Sequence, residues 1–155
     1  MSYIDIEDAI LAALEPLKTE IEVRTIKSYG GDFSPQDIES VSLIFPAILV
    51  HVTGLENETK ARIDIREIAI SVYVAHRNAR GEEASRKGDT AGSADIPGVY
   101  GLLDAVREKL HRKSIADVGA LTLLTLQREK NIGYSKRVGM CVSVAEYKIT
   151  VKKSE

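Results

Sequence analysis

Apolar residues at Ile6, Ala9, Ile10, Ala13, Leu14 and Leu17 recur at the interval of a helix turn, and Asp5, Glu7 and Asp8 place negative charge where a helix dipole is positive. The pattern predicts an amphipathic first helix that Pro16 ends or bends. Ile21, Val23 and Thr25 then alternate with Glu22 and Arg24 as in a strand, and Gly30-Gly31 breaks the run. Ser34-Pro35-Gln36-Asp37 combines a capping hydroxyl, a first-turn proline and an acid, which predicts a short second helix to about Leu43. From Ala47 to Thr53 the chain is apolar and β-branched at both parities, the mark of a central strand covered on two faces. Gly54 to Lys60 reads as a polar turn.

The next strand carries Ile63 and Ile65, then switches parity to Ile68, Ile70, Val72 and Val74, which predicts a bulge near Arg66-Glu67. A similar switch separates Val138, Met140, Val142 and Val144 from Tyr147, Ile149 and Val151, with the bulge expected near Val144-Ala145. Between these strands, helical spacing runs from Ile96 through Val106 and Leu110 to about His111. A connector from Lys113 to Gly119, a strand from Leu121 to Gln127 and a turn from Arg128 to Gly133 complete the reading. The expected fold class is α+β: one domain over residues 1–155, with a single sheet of about five twisted, mostly antiparallel strands packed against about three helices and a hairpin closing the chain.

One stretch does not belong to that core. His76 to Asp89 is charged and punctuated by glycine, so it is expected to protrude as part of a loop at about residues 77–95. Long excursions in compact domains are commonly functional or disordered. A segment with so few apolar residues gains order mainly through contact.

Composition narrows the classes. At 155 residues, one core burying roughly 70% of the unfolded surface suffices without metal or disulfide. With 21 basic and 23 acidic residues, no net field draws the chain to nucleic acid or an anionic membrane. Cys141 is the single cysteine, which excludes an intrachain disulfide, and its place in an alternating apolar run marks it as a packed thiol. The start, Met1-Ser2-Tyr3-Ile4-Asp5, lacks the features of a signal peptide, and no 18 apolar residues run together.

Candidate chemistry is sparse. His51, His76 and His111 are far apart in sequence and in no metal-ligand spacing, no serine sits in a Gly-x-Ser-x-Gly elbow, and Gly30-Gly31 and Gly98-Val99-Tyr100-Gly101 do not complete a phosphate loop. Asp64 and Glu67 are two acids on one strand, with no partner that would set them apart as a catalytic pair. No catalytic residue, cofactor site or metal site is expected. Arg77, Arg80, Arg86 and Lys87 form a basic cluster interleaved with Glu82, Glu83 and Asp89 and lack an aromatic platform for bases. A solvated loop and a nucleic-acid site stay open for this cluster, but charges of both signs suit pairing with a neighbouring copy better, so Arg77, Arg80, Glu82, Glu83, Arg86 and Lys87 are the candidate subunit or lumen contact residues.

Four segments together carry a family resemblance: Tyr29-Gly30-Gly31-Asp32-Phe33, Phe45-Pro46-Ala47-Ile48-Leu49-Val50, Ala75-His76-Arg77-Asn78-Ala79-Arg80-Gly81-Glu82, and Gly98-Val99-Tyr100-Gly101-Leu102-Leu103 followed by Ala105-Val106. In order and spacing the chain resembles the Mu-like prophage tail terminator proteins. That resemblance implies a non-enzymatic virion component, acting as a hexameric ring, that stops tail tube polymerisation at the head-proximal end and offers a docking face to the head connector. Its implied partners are further copies of itself, the tail tube protein and the head connector. No membrane and no specific nucleic acid are implied, with DNA passing through the ring. The implied location is the host bacterial cytoplasm during assembly and then the virion tail. The alternatives left open are a head-tail joining or tail tube protein of the same module and a small nucleic-acid-binding module.

Overall fold

The computed structural model describes residues 3–30, 43–60, 63–77, 86–87, 98–114, 122–135 and 139–152. Its strands are β1 (Thr25–Ser28), β2 (Ala47–Lys60), β3 (Ile63–Arg77), β4 (Thr125–Ser135) and β5 (Met140–Lys152). They form one open sheet in the order β1-β2-β3-β5-β4. β1 runs parallel to β2, and every other pair is antiparallel. Among the described residues the helices are α1 (Tyr3–Leu14), a single turn α2 (Leu17–Glu20) and α3 (Val99–Leu110). The α+β expectation of five strands is met; of the three expected helices, the one from Ser34 to Leu43 lies almost wholly outside the described residues.

Both long helices pack on one face of the sheet. Ile6, Ile10 and Leu14 of α1 and Leu102, Val106 and Leu110 of α3 meet Ile48, Val50, Ile70, Val72, Tyr147 and Ile149. All are essentially inaccessible, and burying a side chain of this size contributes about 1.5–3 kcal/mol. The opposite face carries a second, smaller cluster of Ala47, Leu49, Ala75, Met140 and Val142, with Tyr29, Leu43, Phe45 and Tyr73 against it. Ala47 to Val50 are therefore buried at both parities, as a doubly covered central strand requires.

The same two-sided burial explains the parity switch in β5 without a bulge. Met140, Val142 and Val144 point to the outer face, where one end of the sheet is covered, whereas Ala145, Tyr147, Ile149 and Val151 point to the helices. The β3–β5 register runs unbroken from Ile65↔Lys152 to Arg77↔Met140, so the bulges expected near Arg66-Glu67 and Val144-Ala145 are absent. The irregularities fall elsewhere. β2 carries one extra residue, Thr53, and β4 carries Gln127 and Ile132. Gly133, directly after Ile132, has φ 148°, and Gly139 in the β4–β5 connection has φ 68°, backbone conformations that favour glycine.

Three boundaries also differ from the sequence reading. Gly54 to Lys60 is strand rather than turn: Lys60 pairs with Ile63, so a long β2–β3 hairpin supplies partners for polar residues that carry no strand signature of their own. Likewise Arg128 to Gly133 continues β4, because β5 pairs with it through Ser135. The strand expected at Ile21–Thr25 begins only at Thr25; the turn α2 follows Pro16, and Val23 is buried in the connection between them. Pro16 itself acts as expected, ending α1 and opening α2.

Two side chains buried on the helix-covered face carry polar atoms without a partner among the described residues. The Tyr147 hydroxyl and both ring nitrogens of His76 find no hydrogen-bond partner among the described residues, and His76 is 6% exposed. Burial raises the Tyr147 phenol well above its usual range, helped by the Glu129 carboxylate and opposed by Arg107. Tyr147→Phe is expected to keep or raise stability by about 1 kcal/mol, because it removes an unsatisfied hydroxyl, whereas Tyr147→Ala should cost about 3–5 kcal/mol. Urea unfolding of both variants checks this; a loss on phenylalanine substitution would reveal a hydroxyl partner.

Burial lowers the His76 pKa below its ordinary 6.5, so the unfolded chain takes up the proton first. Stability should therefore be complete above pH 6.5 and fall as the pH drops from there towards the lower folded-state value. His76→Leu is expected to flatten that part of the profile, read as unfolding midpoints across the window.

Candidate functional site

Arg77 is the last residue of β3, exposed and paired in register with Met140. Its side chain passes over Gly139, where a built Cβ would stand 3.9 Å from Arg77 Cγ. β3 is the middle strand of five, so Arg77 lies at the end of the sheet's centre. Arg86 is half-buried and its Nη1 donates to the Tyr100 hydroxyl at 3.4 Å, next to the start of α3; Lys87 is exposed. Arg77 is thus placed on the sheet and Arg86 beside α3. Arg80, Glu82 and Glu83 lie outside the described residues.

A second polar constellation, invisible to linear spacing, is built by strand register. His51 faces Ser71, Ser71 faces Glu146, and Glu146 faces Arg128, so four strands contribute one row across the outer face. Arg128 donates to Glu146 through Nε and, at 3.2 Å, through Nη2. That hydrogen bond holds the Glu146 carboxyl below the usual carboxylate range. Along the same face Tyr29 stacks on Tyr73 with ring centroids 4.4 Å apart, and the His51 ring is 5.6 Å from Tyr29. Burial raises the Tyr73 pKa, with Tyr29 and Glu146 adding to the effect. The neighbouring Lys148–Glu67 pair extends the charged surface.

The order of this row decides what it can do. In a nucleophile relay the imidazole stands between hydroxyl and carboxylate; here Ser71 stands between His51 and Glu146, and Arg128 occupies the carboxylate. The row is a surface of paired charges and stacked rings. The other histidines serve elsewhere: His111 Nδ1 accepts from the Leu126 backbone N–H at 3.0 Å and ties the end of α3 to β4. Cys141 is buried, with Sγ 3.9 Å from Asn131 Oδ1, which agrees with a packed thiol. Among the described residues no three His, Cys, Asp or Glu side chains gather as metal ligands do, and no helix is long and apolar enough to cross a membrane.

Comparison with known proteins agrees with the resemblance carried by the sequence motifs. No curated protein sequence matches the chain. A solved chain from the virion of a native gene transfer agent particle superposes with a TM-score of 0.63 at 11% identity, covering 98% of this chain and 100% of that one, which establishes a shared fold. The family model described as Bacteriophage Mu, Gp37 matches residues 2–151. The chain therefore belongs to the bacteriophage Mu Gp37 family.

Proposed function

We propose that this chain is a non-enzymatic virion structural protein that caps the tail tube at its head-proximal end as a closed ring of identical copies, a homohexamer. The observation that carries the reading is the end-to-end correspondence: the family model spans residues 2–151, and the fold of the gene transfer agent chain matches over its whole length. The row on the outer face supports a role in contact, since its charged groups pair with one another and its rings stack. Assembly takes place in the host bacterial cytoplasm, and the finished ring stays in the virion tail between the tube and the head connector.

Within that ring the excursion beginning at Arg77 meets the neighbouring copy or the lumen through Arg77, Arg80, Glu82, Glu83, Arg86 and Lys87. Its departure from the centre of the sheet's end favours a lumenal or axial contact over a lateral one. Charged groups of both signs there set orientation more than affinity.

Particles assembled without this protein are expected to carry overlong tail tubes in negative-stain micrographs. Absent tubes would instead identify a tube subunit, and normal-length tubes without heads a joining protein. Arg77→Glu combined with Arg80→Glu should leave the unfolding midpoint unchanged and reduce the yield of capped tails at least about tenfold, scored by microscopy and infectivity. Normal capping by that variant would remove the excursion from the contact surface.

A further inference from the structure

The charges that nearly cancel over the whole chain are separated across the sheet. Residues 3–30, which build α1, α2 and β1, hold six acids (Asp5, Glu7, Asp8, Glu15, Glu20 and Glu22) against three bases, Lys18, Arg24 and Lys27, a net charge of −3. Residues 98–114 and 122–135, which build α3 and β4, hold six bases (Arg107, Lys109, Arg112, Lys113, Arg128 and Lys130) against three acids, Asp104, Glu108 and Glu129, a net charge of +3.

Topology separates the two sets: α1 lies over β1 and β2, whereas α3 lies beside α1 over β3, β5 and β4. β1 and β4 are the two edge strands. Ser28 Oγ donates to Glu7 Oε1 at 2.7 Å, which holds the acidic helix α1 over the β1 edge. On the other side the Arg112 N–H donates to the Leu124 carbonyl at 2.7 Å and Lys113 bridges to Leu124, which brings both bases to the start of β4. Part of the opposite charge is consumed internally, as in the 2.9 Å pair of Lys109 with Glu20. Asp8, Glu22, Arg112 and Lys113 remain exposed and form no ion pair among the described residues.

We infer that the acidic α1–β1 margin of one copy docks against the basic α3–β4 margin of the next, so that a second copy of this chain is the occupant of each edge. The inference rests on the ring reading above and specifies which surfaces close the ring. Like margins repel and unlike margins attract, so the contact is heterologous, the arrangement that generates rings. Side chains make the contact rather than a shared ladder, because the extra residues Gln127 and Ile132 twice shift the pairing phase of β4.

The test uses two full-length variants, one with both margins basic (Asp8→Lys with Glu15→Lys) and one with both acidic (Lys113→Glu with Lys130→Glu). Sedimentation velocity follows assembly of each alone, of their equimolar mixture and of the unaltered protein, with and without tail tubes assembled in its absence. Each variant alone should assemble at least about tenfold more weakly than the unaltered protein, and the mixture should regain assembly by alternating the two. The neutral set Asp8→Asn with Glu15→Gln, checked by urea unfolding, should fall between and covers any misfolding of the reversals. A mixture no better than its components, or a defect in one variant only, overturns the margin pairing and leaves the ring intact. An unaltered protein that forms no oligomer under either condition overturns the ring reading itself.

Discussion

The pairing of β3 with two long neighbours is the constraint on which the rest depends. β3 is hydrogen-bonded to β2 on one side and to β5, without a register shift, on the other. A slip of one residue on either side would carry Ile68, Ile70, Val72 and Val74 from the helix-covered face to the outer one. With that register fixed, α1 and α3 share one apolar floor, Arg77 emerges from the sheet's centre, and the polar row from His51 to Arg128 comes into line.

Elements that bury an unbroken apolar stripe were legible in the sequence. Ile6, Ile10 and Leu14, the run Ala47 to Val50, and Leu102, Val106 and Leu110 each declare a face by spacing alone. What was not legible depends on partners distant in the chain. Gly54 to Lys60 and Arg128 to Gly133 are polar, and only the ladders offered by β3 and β5 make them strands. The parity switch in β5 came from a second covered face, for which periodicity has no separate signature.

The site was legible to a lesser degree. Arg77 and Arg86 were recognisable as charged residues outside the core, but their placement at a central strand's end and beside Tyr100 follows from topology. The segregation of charge between the two margins was present in the sequence as a count per segment, and the near-neutral total concealed it. Ser71, Glu146 and His51 become neighbours only through register, in an order that differs from that of a nucleophile relay.

The irregular β4 has a further consequence for how the molecule keeps company with itself. Its amides and carbonyls fall out of step twice within eleven residues, so an incoming strand from another molecule would lose alignment after a few bonds. Open-ended stacking of the cross-β kind is thereby discouraged at the β4 edge of the sheet. Folded copies can then accumulate without growing into fibres along that edge.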